Sequence, residues 1–296
     1  MIYWVLRIAR RIAGLLPLRV AYTIAVVLSD LAWLLLPVQR KNAIDNMARV
    51  LGRDRNDPEV RRKARTSFRY YGMYMADFLR LPYLQGEELD ARLEFTGYDD
   101  LDGALSEGKG VIFISLHMGN WDLASAVLAR KGYPVNVVAE TFQPKKLNDL
   151  VQGHRSWHGV KVIPLEKSAR KVLGVLRKNE ILGLLIDRPS PEAGVLVRFF
   201  GGLTEVPAGA ALLALKTGAS LLSGVVVRNP DHTYSGFVNS HFDVELTGDL
   251  STDVKLLSQR IMDSLEAFIR QYPEQWFIFR PMWPEDLALR TLPQQA

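Results

Sequence analysis

VIFISLHMGNWD, residues 111–122, is an apolar β-branched run that gives way to a histidine, a glycine and an asparagine, and it opens a pattern that continues down the chain. Runs of the same kind stand at 135–139 (VNVVA), 160–164 (VKVIP) and 181–187 (ILGLLID). Helical stretches fit between them at Trp121 to Arg130, Lys145 to Trp157 and Ser168 to Arg177. Parallel strands need a crossover, most often a helix, so this alternation predicts βαβ units and an α/β fold, a central mostly parallel sheet with helices on both faces. Two further strands, near 195–199 and 220–228, flank a helix beginning around Pro207, and a hairpin strand follows near 233–238. A last helix, Asp253 to Gln271, precedes an aromatic tail, PEQWFIFRPMW at 273–283, which reads as a strap sealing the core.

Upstream of the strands the period is helical. Asp57-Pro58 starts a long helix through Leu79 with Phe68, Tyr71, Met75 and Phe78 on one face, ended by Leu81-Pro82. The first 52 residues differ from the rest. Val20 to Val38 reads VAYTIAVVLSDLAWLLLPV, with Asp30 its one charge. As a helix it nearly matches the thickness of a bilayer core of about 30 Å, but a carboxylate near its middle and Pro17 and Pro37 at its edges argue against a simple span. Asp30 also argues against a cleaved signal peptide. Arg7, Arg10 and Arg11 precede the apolar run, and Arg40 and Lys41 follow it. Basic flanks around an apolar hairpin suit a segment lying in the headgroup layer of an anionic membrane, with Trp4, Tyr22 and Trp33 as interface anchors. The alternative is a pair of core helices. The expected organisation is residues 1–52 as membrane-associated helices and residues 53–296 as one α/β domain.

Composition narrows the chemistry. Over 296 residues, 48% are hydrophobic and the net charge is +5, a bias toward anionic surfaces rather than a nucleic-acid signature. The absence of cysteine excludes disulfides, thiolate metal sites and a cysteine nucleophile. GALSEGKG at 103–110 imitates a phosphate-binding loop, but Gly110 stands where a Ser or Thr would hold magnesium, and the stretch precedes a strand rather than following one. His154 and His158 have the spacing of a zinc helix, with Arg155 in place of the glutamate, so no metal is expected.

Open α/β sheets place chemistry at the carboxyl ends of their strands, and three polar groups fall there. His117 follows VIFISL and precedes Asp122 by five residues. On one continuous helix those side chains would diverge. Gly119 permits a sharp turn and Asn120 can cap a helix opening at Trp121, which would bring Asp122 back toward the imidazole. A carboxylate on one ring nitrogen fixes the tautomer and leaves the other nitrogen as a base able to take a hydroxyl proton, the task in acyl transfer to an alcohol. No Gly-x-Ser-x-Gly elbow competes. The plainer reading makes His117 a partner of helix amides and Asp122 a helix-dipole residue. Asp187, closing ILGLLID, could complete a relay with His117, bind an acceptor hydroxyl, or simply pair with Arg188. Glu140 follows VNVVA, and Arg155 on the next helix could hold a phosphate or stabilise an oxyanion.

Seven boxes in order resemble the bacterial lipid A biosynthesis acyltransferase family, nearest to its phosphatidylinositol mannoside branch. They are HMGNWD, VAE with the Pro-Lys-Lys helix and Arg155, VIPL, LLIDR, GVLVRFFGG, VPAGAALLALKTGASLL and PEQWFIFRPMW, spread over roughly residues 40–286. The resemblance implies attachment to the cytoplasmic face of the inner membrane, peripheral or monotopic. It implies transfer of an acyl chain from acyl-CoA or acyl carrier protein to a glycolipid hydroxyl, without metal or bound cofactor. Carried over, the His-x4-Asp box makes His117 the general base and Asp122 its orienting carboxylate, with Asp187 the third catalytic residue. Glu140, Arg155, Arg188, Gly119 and Asn120 fall to substrate binding and the oxyanion. The chain departs from the mannoside branch at Pro189 and Ser190 and at Leu196 and Arg198, differences that bear on the acceptor sugar. A catalytically silent lipid-binding scaffold and a membrane-bound glycosyltransferase are the alternatives. The first would lose the histidine box, and the second would want a metal-binding Asp-x-Asp at a strand end.

Overall fold

The computed structural model describes residues 2–189, 194–239, 242 and 245–284. In chain order the elements are α1 (Ile2–Leu15), α2 (Leu18–Leu35), α3 (Pro37–Leu51), α4 (Pro58–Arg80), α5 (Gly86–Asp90), β1 (Leu93–Phe95), α6 (Tyr98–Ser106), β2 (Val111–Ser115), α7 (Trp121–Arg130), β3 (Val135–Ala139), α8 (Lys145–Ser156) and β4 (Lys161–Pro164). They continue with α9 (Ser168–Arg177), β5 (Ile181–Leu185), β6 (Gly194–Phe199), β7 (Gly202–Pro207), α10 (Gly209–Thr217), β8 (Ser220–Arg228), β9 (Tyr234–Asn239) and α11 (Leu250–Gln271). Ser190 lies outside the described residues, as do the last residues of the expected catalytic domain.

Seven strands form one sheet in the order β1-β9-β8-β2-β5-β3-β4, parallel throughout except for the β8–β9 hairpin. The central strands are apolar on both sides, as a doubly covered parallel sheet requires. Ile112 and Ile114 of β2 pack with Val225 and Val227 of β8 beneath α9, α10 and α11. Val111, Leu222 and Val226 face the opposite way, toward α6 and α7.

The region after β5 differs from the reading of a single strand near 195–199. β6 and β7 pair only with each other, as an antiparallel hairpin apart from the main sheet. Its tight turn is made by Phe200 (φ 47°) and Gly201 (φ 73°), both in the left-handed region that a two-residue hairpin turn demands. Val195, Val197 and Phe199 point inward, leaving Leu196 and Arg198 on the outer face.

The N-terminal helices correct two of the expected membrane anchors. α2 is the one described helix long and apolar enough to cross a membrane, by length and composition. It lies along α4, where Asp30 pairs with Arg65 Nε at 2.9 Å and Arg69 Nη2 at 2.6 Å. This is why a carboxylate can sit in an apolar run. Tyr22 is buried, because its hydroxyl reaches Asp77 of α4, and Trp33 packs edge-on against Phe68. Trp4 is exposed. Arg10 is drawn onto the rings of Tyr83 and Trp157, and Arg80 of α4 donates to the carbonyls of Ala13 and Leu16 at the end of α1. The outer faces keep an apolar row: Val5, Ile8, Ile12 and Leu15 on α1, and Val27, Leu31 and Leu34 on α2.

Candidate active site

β2 and β5 are neighbours with Ser115 opposite Leu185. Two residues further along each strand direction stand His117 and Asp187, so the parallel register alone brings them together. The His117 ring Nδ1 is 2.7 Å from Asp187 Oδ1, and the His117 amide donates to Asp187 Oδ2 at 2.9 Å. A second donor reaches Oδ2, the Trp276 indole N–H at 2.8 Å. Burial opposes ionisation of Asp187, but the His117 ring and amide and the indole outweigh it and hold the carboxyl below its usual range. An ionised carboxylate only accepts, so Nδ1 carries the hydrogen, and of the two neutral tautomers this is the one that leaves the lone pair on Nε2. The Asp187 side chain is 0% exposed and that of His117 is 11% exposed, which puts the acid behind the ring and lets the ring reach the surface.

The turn after His117 is built as its sequence requires. Gly119 has φ +60°, and a Cβ there would lie 1.6 Å from the Val226 carbonyl oxygen, so only glycine lets the loop pass over β8. Asn120 Oδ1 caps α7 by accepting the Leu123 amide at 3.0 Å. The tail runs across the same turn as the expected strap. Phe277 N donates to the His117 carbonyl at 2.8 Å, and Gly119 N donates to the Gln275 carbonyl at 3.0 Å. The Gly119 amide is therefore engaged, which corrects the expectation that it serves the oxyanion.

Asp122 does not take the orienting role expected of it. One of its oxygens accepts from Arg155 Nε at 2.9 Å and the other from the Tyr74 hydroxyl at 2.6 Å. The carboxylate on the imidazole is Asp187. Arg155, offered as a phosphate or oxyanion ligand, is instead half of this ion pair, bonded also to Gln152 and lying over the Phe78 ring. Burial works against the Arg155 charge, but Asp122 and Tyr74 raise its pKa above the usual value. Burial, then the Asp122 charge, pushes the Tyr74 hydroxyl well above the normal phenol range.

At the rim, Arg188 pairs with Glu140 at 2.9 Å rather than with Asp187, and both side chains are accessible. Beside the ring stands an aromatic wall: Trp121 edge-on to His117 at 5.2 Å, Tyr74 against Trp121 at 4.3 Å, and Tyr71 against Phe277 at 5.6 Å. The two histidines with the spacing of a zinc helix are turned to carbonyls, His154 to that of Leu150 and His158 to that of Leu81. Sequence reasoning missed Tyr74 and the link from Trp276 to Asp187. Both contacts join residues far apart in the chain, and neither has a local spacing signal.

A strand-end histidine backed by the buried carboxylate of Asp187 is built as a general base, and comparison with known proteins gives the reaction class. The family model for bacterial lipid A biosynthesis acyltransferases matches residues 1–285. The chain belongs to that acyltransferase family. Phosphatidylinositol mannoside acyltransferase of Mycolicibacterium smegmatis is 32% identical over 251 residues, 82% of this chain and 79% of the relative. The Mycobacterium tuberculosis protein of the same name is 32% identical over 229 residues, 75% of this chain and 70% of the relative. Lipid A biosynthesis acyltransferase of Haemophilus influenzae is 24% identical over 191 residues, 64% of this chain and 58% of the relative.

Proposed function

We propose that this acyltransferase moves a fatty acyl chain from a thioester donor, acyl-CoA or acyl carrier protein, to a hydroxyl of a glycolipid of the phosphatidylinositol mannoside or lipid A kind. The observation that carries the reading is the contact between His117 Nδ1 and Asp187, which leaves Nε2 as a base near the protein surface. His117 Nε2 takes the proton of the acceptor hydroxyl as its oxygen attacks the thioester carbonyl. The tetrahedral intermediate collapses to an ester, and the thiolate leaves with the proton from the imidazolium. Asp187 stabilises that imidazolium without being protonated. The Arg188–Glu140 pair supplies the accessible cation at the rim for a phosphorylated substrate or the oxyanion. No step calls for a metal or a bound cofactor, since the donor brings the activated acyl group.

Residues 1–52 attach the enzyme to the cytoplasmic face of the inner membrane, and residues 53–296 form the catalytic domain. Support comes from the exposed apolar rows of α1 and α2 and from Asp30, whose pairing with α4 favours a helix lying on the surface over one crossing it.

Incubating the protein with radiolabelled acyl-CoA, or acyl carrier protein, and the total lipid of its host should yield a labelled glycolipid. His117→Ala should abolish the label with folding retained. A normal label from the alanine variant rejects His117 as the base, and labelled fatty acid without glycolipid rejects the acceptor class. Flotation with anionic vesicles tests attachment: Val27→Glu with Leu34→Glu should leave the protein in the soluble fraction.

A further inference from the structure

Behind the histidine turn lies a buried charged cluster that the reaction above does not use. Asp77 of α4 has a side chain 1% exposed, and both its oxygens are doubly occupied. Oδ1 accepts from the Tyr22 hydroxyl at 2.7 Å and from Arg92 Nη2 at 3.1 Å. Oδ2 accepts from Arg228 Nη2 at 2.6 Å and from the Tyr234 hydroxyl. Tyr22 also receives both guanidiniums, Arg92 at 2.8 Å and Arg228 at 2.9 Å, so the phenol of α2 is the junction of the cluster. Burial and then the Asp77 charge keep Tyr234 protonated far above the usual phenol pKa, and its hydroxyl therefore stays a donor to Asp77.

Two routes lead from this cluster to the turn that carries His117. In the first, Asn120 Nδ2 donates to the Tyr234 hydroxyl at 3.2 Å while Oδ1 of the same side chain caps α7. In the second, Gln275 clamps the Arg228 backbone, accepting its amide at 2.6 Å and donating to its carbonyl at 2.9 Å. The Gln275 carbonyl then holds the Gly119 amide. Both residues that bend the chain after His117 are thus fixed by groups anchored on Asp77. Resting on the reading of His117 as the base, we propose that Tyr22, Asp77, Arg228 and Tyr234 are positioning residues, setting the turn through Asn120 and Gln275 and so making the aim of the His117 ring conditional on α2 being seated.

A cluster that served only to hold helices together would change stability and leave the ring where it is. Tyr22→Phe and Tyr234→Phe remove one hydroxyl each without changing shape, and Thr23→Ala, which loses only a bond to the Arg19 carbonyl within α2, is the control. For the full-length protein, kcat and KM for the acyl donor are measured with the His117 imidazole resonances, assigned by their absence in His117→Ala. Each phenylalanine variant should lower kcat about tenfold, the scale of one hydrogen bond to a charged group, with KM within about twofold and the His117 resonances moved. The control should match the parent. Unmoved resonances in both variants, or an unchanged kcat in both, overturn the proposal whatever the change in Tm. If the resonances move and kcat falls while His117→Ala keeps normal turnover, the assignment of the base fails and the coupling to the turn stands.

Discussion

Trp276 donates its indole N–H to the Asp187 oxygen that also receives the His117 amide, a contact between residues 89 apart in the chain. Trp276→Phe keeps the ring and removes the donor. Because Asp187 is held below its usual pKa against burial, losing a donor raises it. The ionised form is what pairs with His117, and it is present above the folded pKa and lost as pH falls through it. The pH-dependent part of stability that Asp187 supplies, present above the ordinary carboxylate range and lost as pH falls through the folded pKa, should therefore be smaller in the variant, with a stability loss at neutral pH of about 1.5–3 kcal/mol, the scale of a hydrogen bond to a charged group. Acid denaturation curves of variant and parent that fall in parallel would show that Trp276 only packs.

Asp187→Asn and Asp122→Asn should differ in kind. At Asp187 an amide can donate to Nδ1 and trap the wrong tautomer, so kcat should fall by about three to four orders of magnitude with the fold retained. At Asp122 the change removes half of the buried ion pair with Arg155, and the loss should appear first as stability, about 3 kcal/mol, in a denaturant titration. Equal falls in kcat without any change in the denaturant midpoint for Asp122→Asn would restore it to the orienting role.

How much of this was legible follows from the range of each interaction. β2, β3 and β5 and helices α7 and α9 follow from local periodicity, as does the turn, whose glycine and asparagine do what their types allow. The pairing of His117 with Asp187 depends on strand order, because β5 enters the sheet between β2 and β3, and no local pattern encodes that insertion. Asp122 misled for the same reason. Its proximity in sequence suggested the imidazole, while the partners that claim it come from α4 and α8. The β6–β7 hairpin is half legible: the alternation of β6 is plain, while β7 occupies residues that the sequence reading leaves unassigned between that strand and the next helix.

Gly119→Ala should be severely damaging, since its Cβ would make the closest approach found at any described glycine. A left-handed alanine costs about 1–2 kcal/mol, and here the methyl would also meet a backbone carbonyl at 1.6 Å, which no side-chain rotation relieves. The turn must move, and His117 with it. Activity should be lost and Tm should fall by more than a left-handed alanine alone explains. Gly132→Ala is the comparison, since Gly132 also has positive φ (95°) but has open space where its Cβ would be. An intact rate in Gly119→Ala would mean that the turn does not set the ring.

His154 makes the fold sensitive to mild acid. It is 1% exposed, with the ring against Phe78 at 5.1 Å. Nδ1 must carry the hydrogen that reaches the Leu150 carbonyl, so Nε2 is left as a buried lone pair without a partner. Burial chiefly, with the Arg10 charge adding to it, lowers the pKa to about 4. The unfolded chain takes up a proton near pH 6.5 that the native protein refuses until about pH 4. Stability therefore falls as pH drops through that interval and is flat on this account above it, a loss of about 3 kcal/mol in all. His154→Leu removes the titrating group and keeps an apolar side chain against Phe78. Chemical denaturation at pH 7, 5.5 and 4.5 should show the difference between variant and parent moving steadily in favour of the variant as pH falls. Parallel curves for the two proteins over that range would place the acid sensitivity elsewhere.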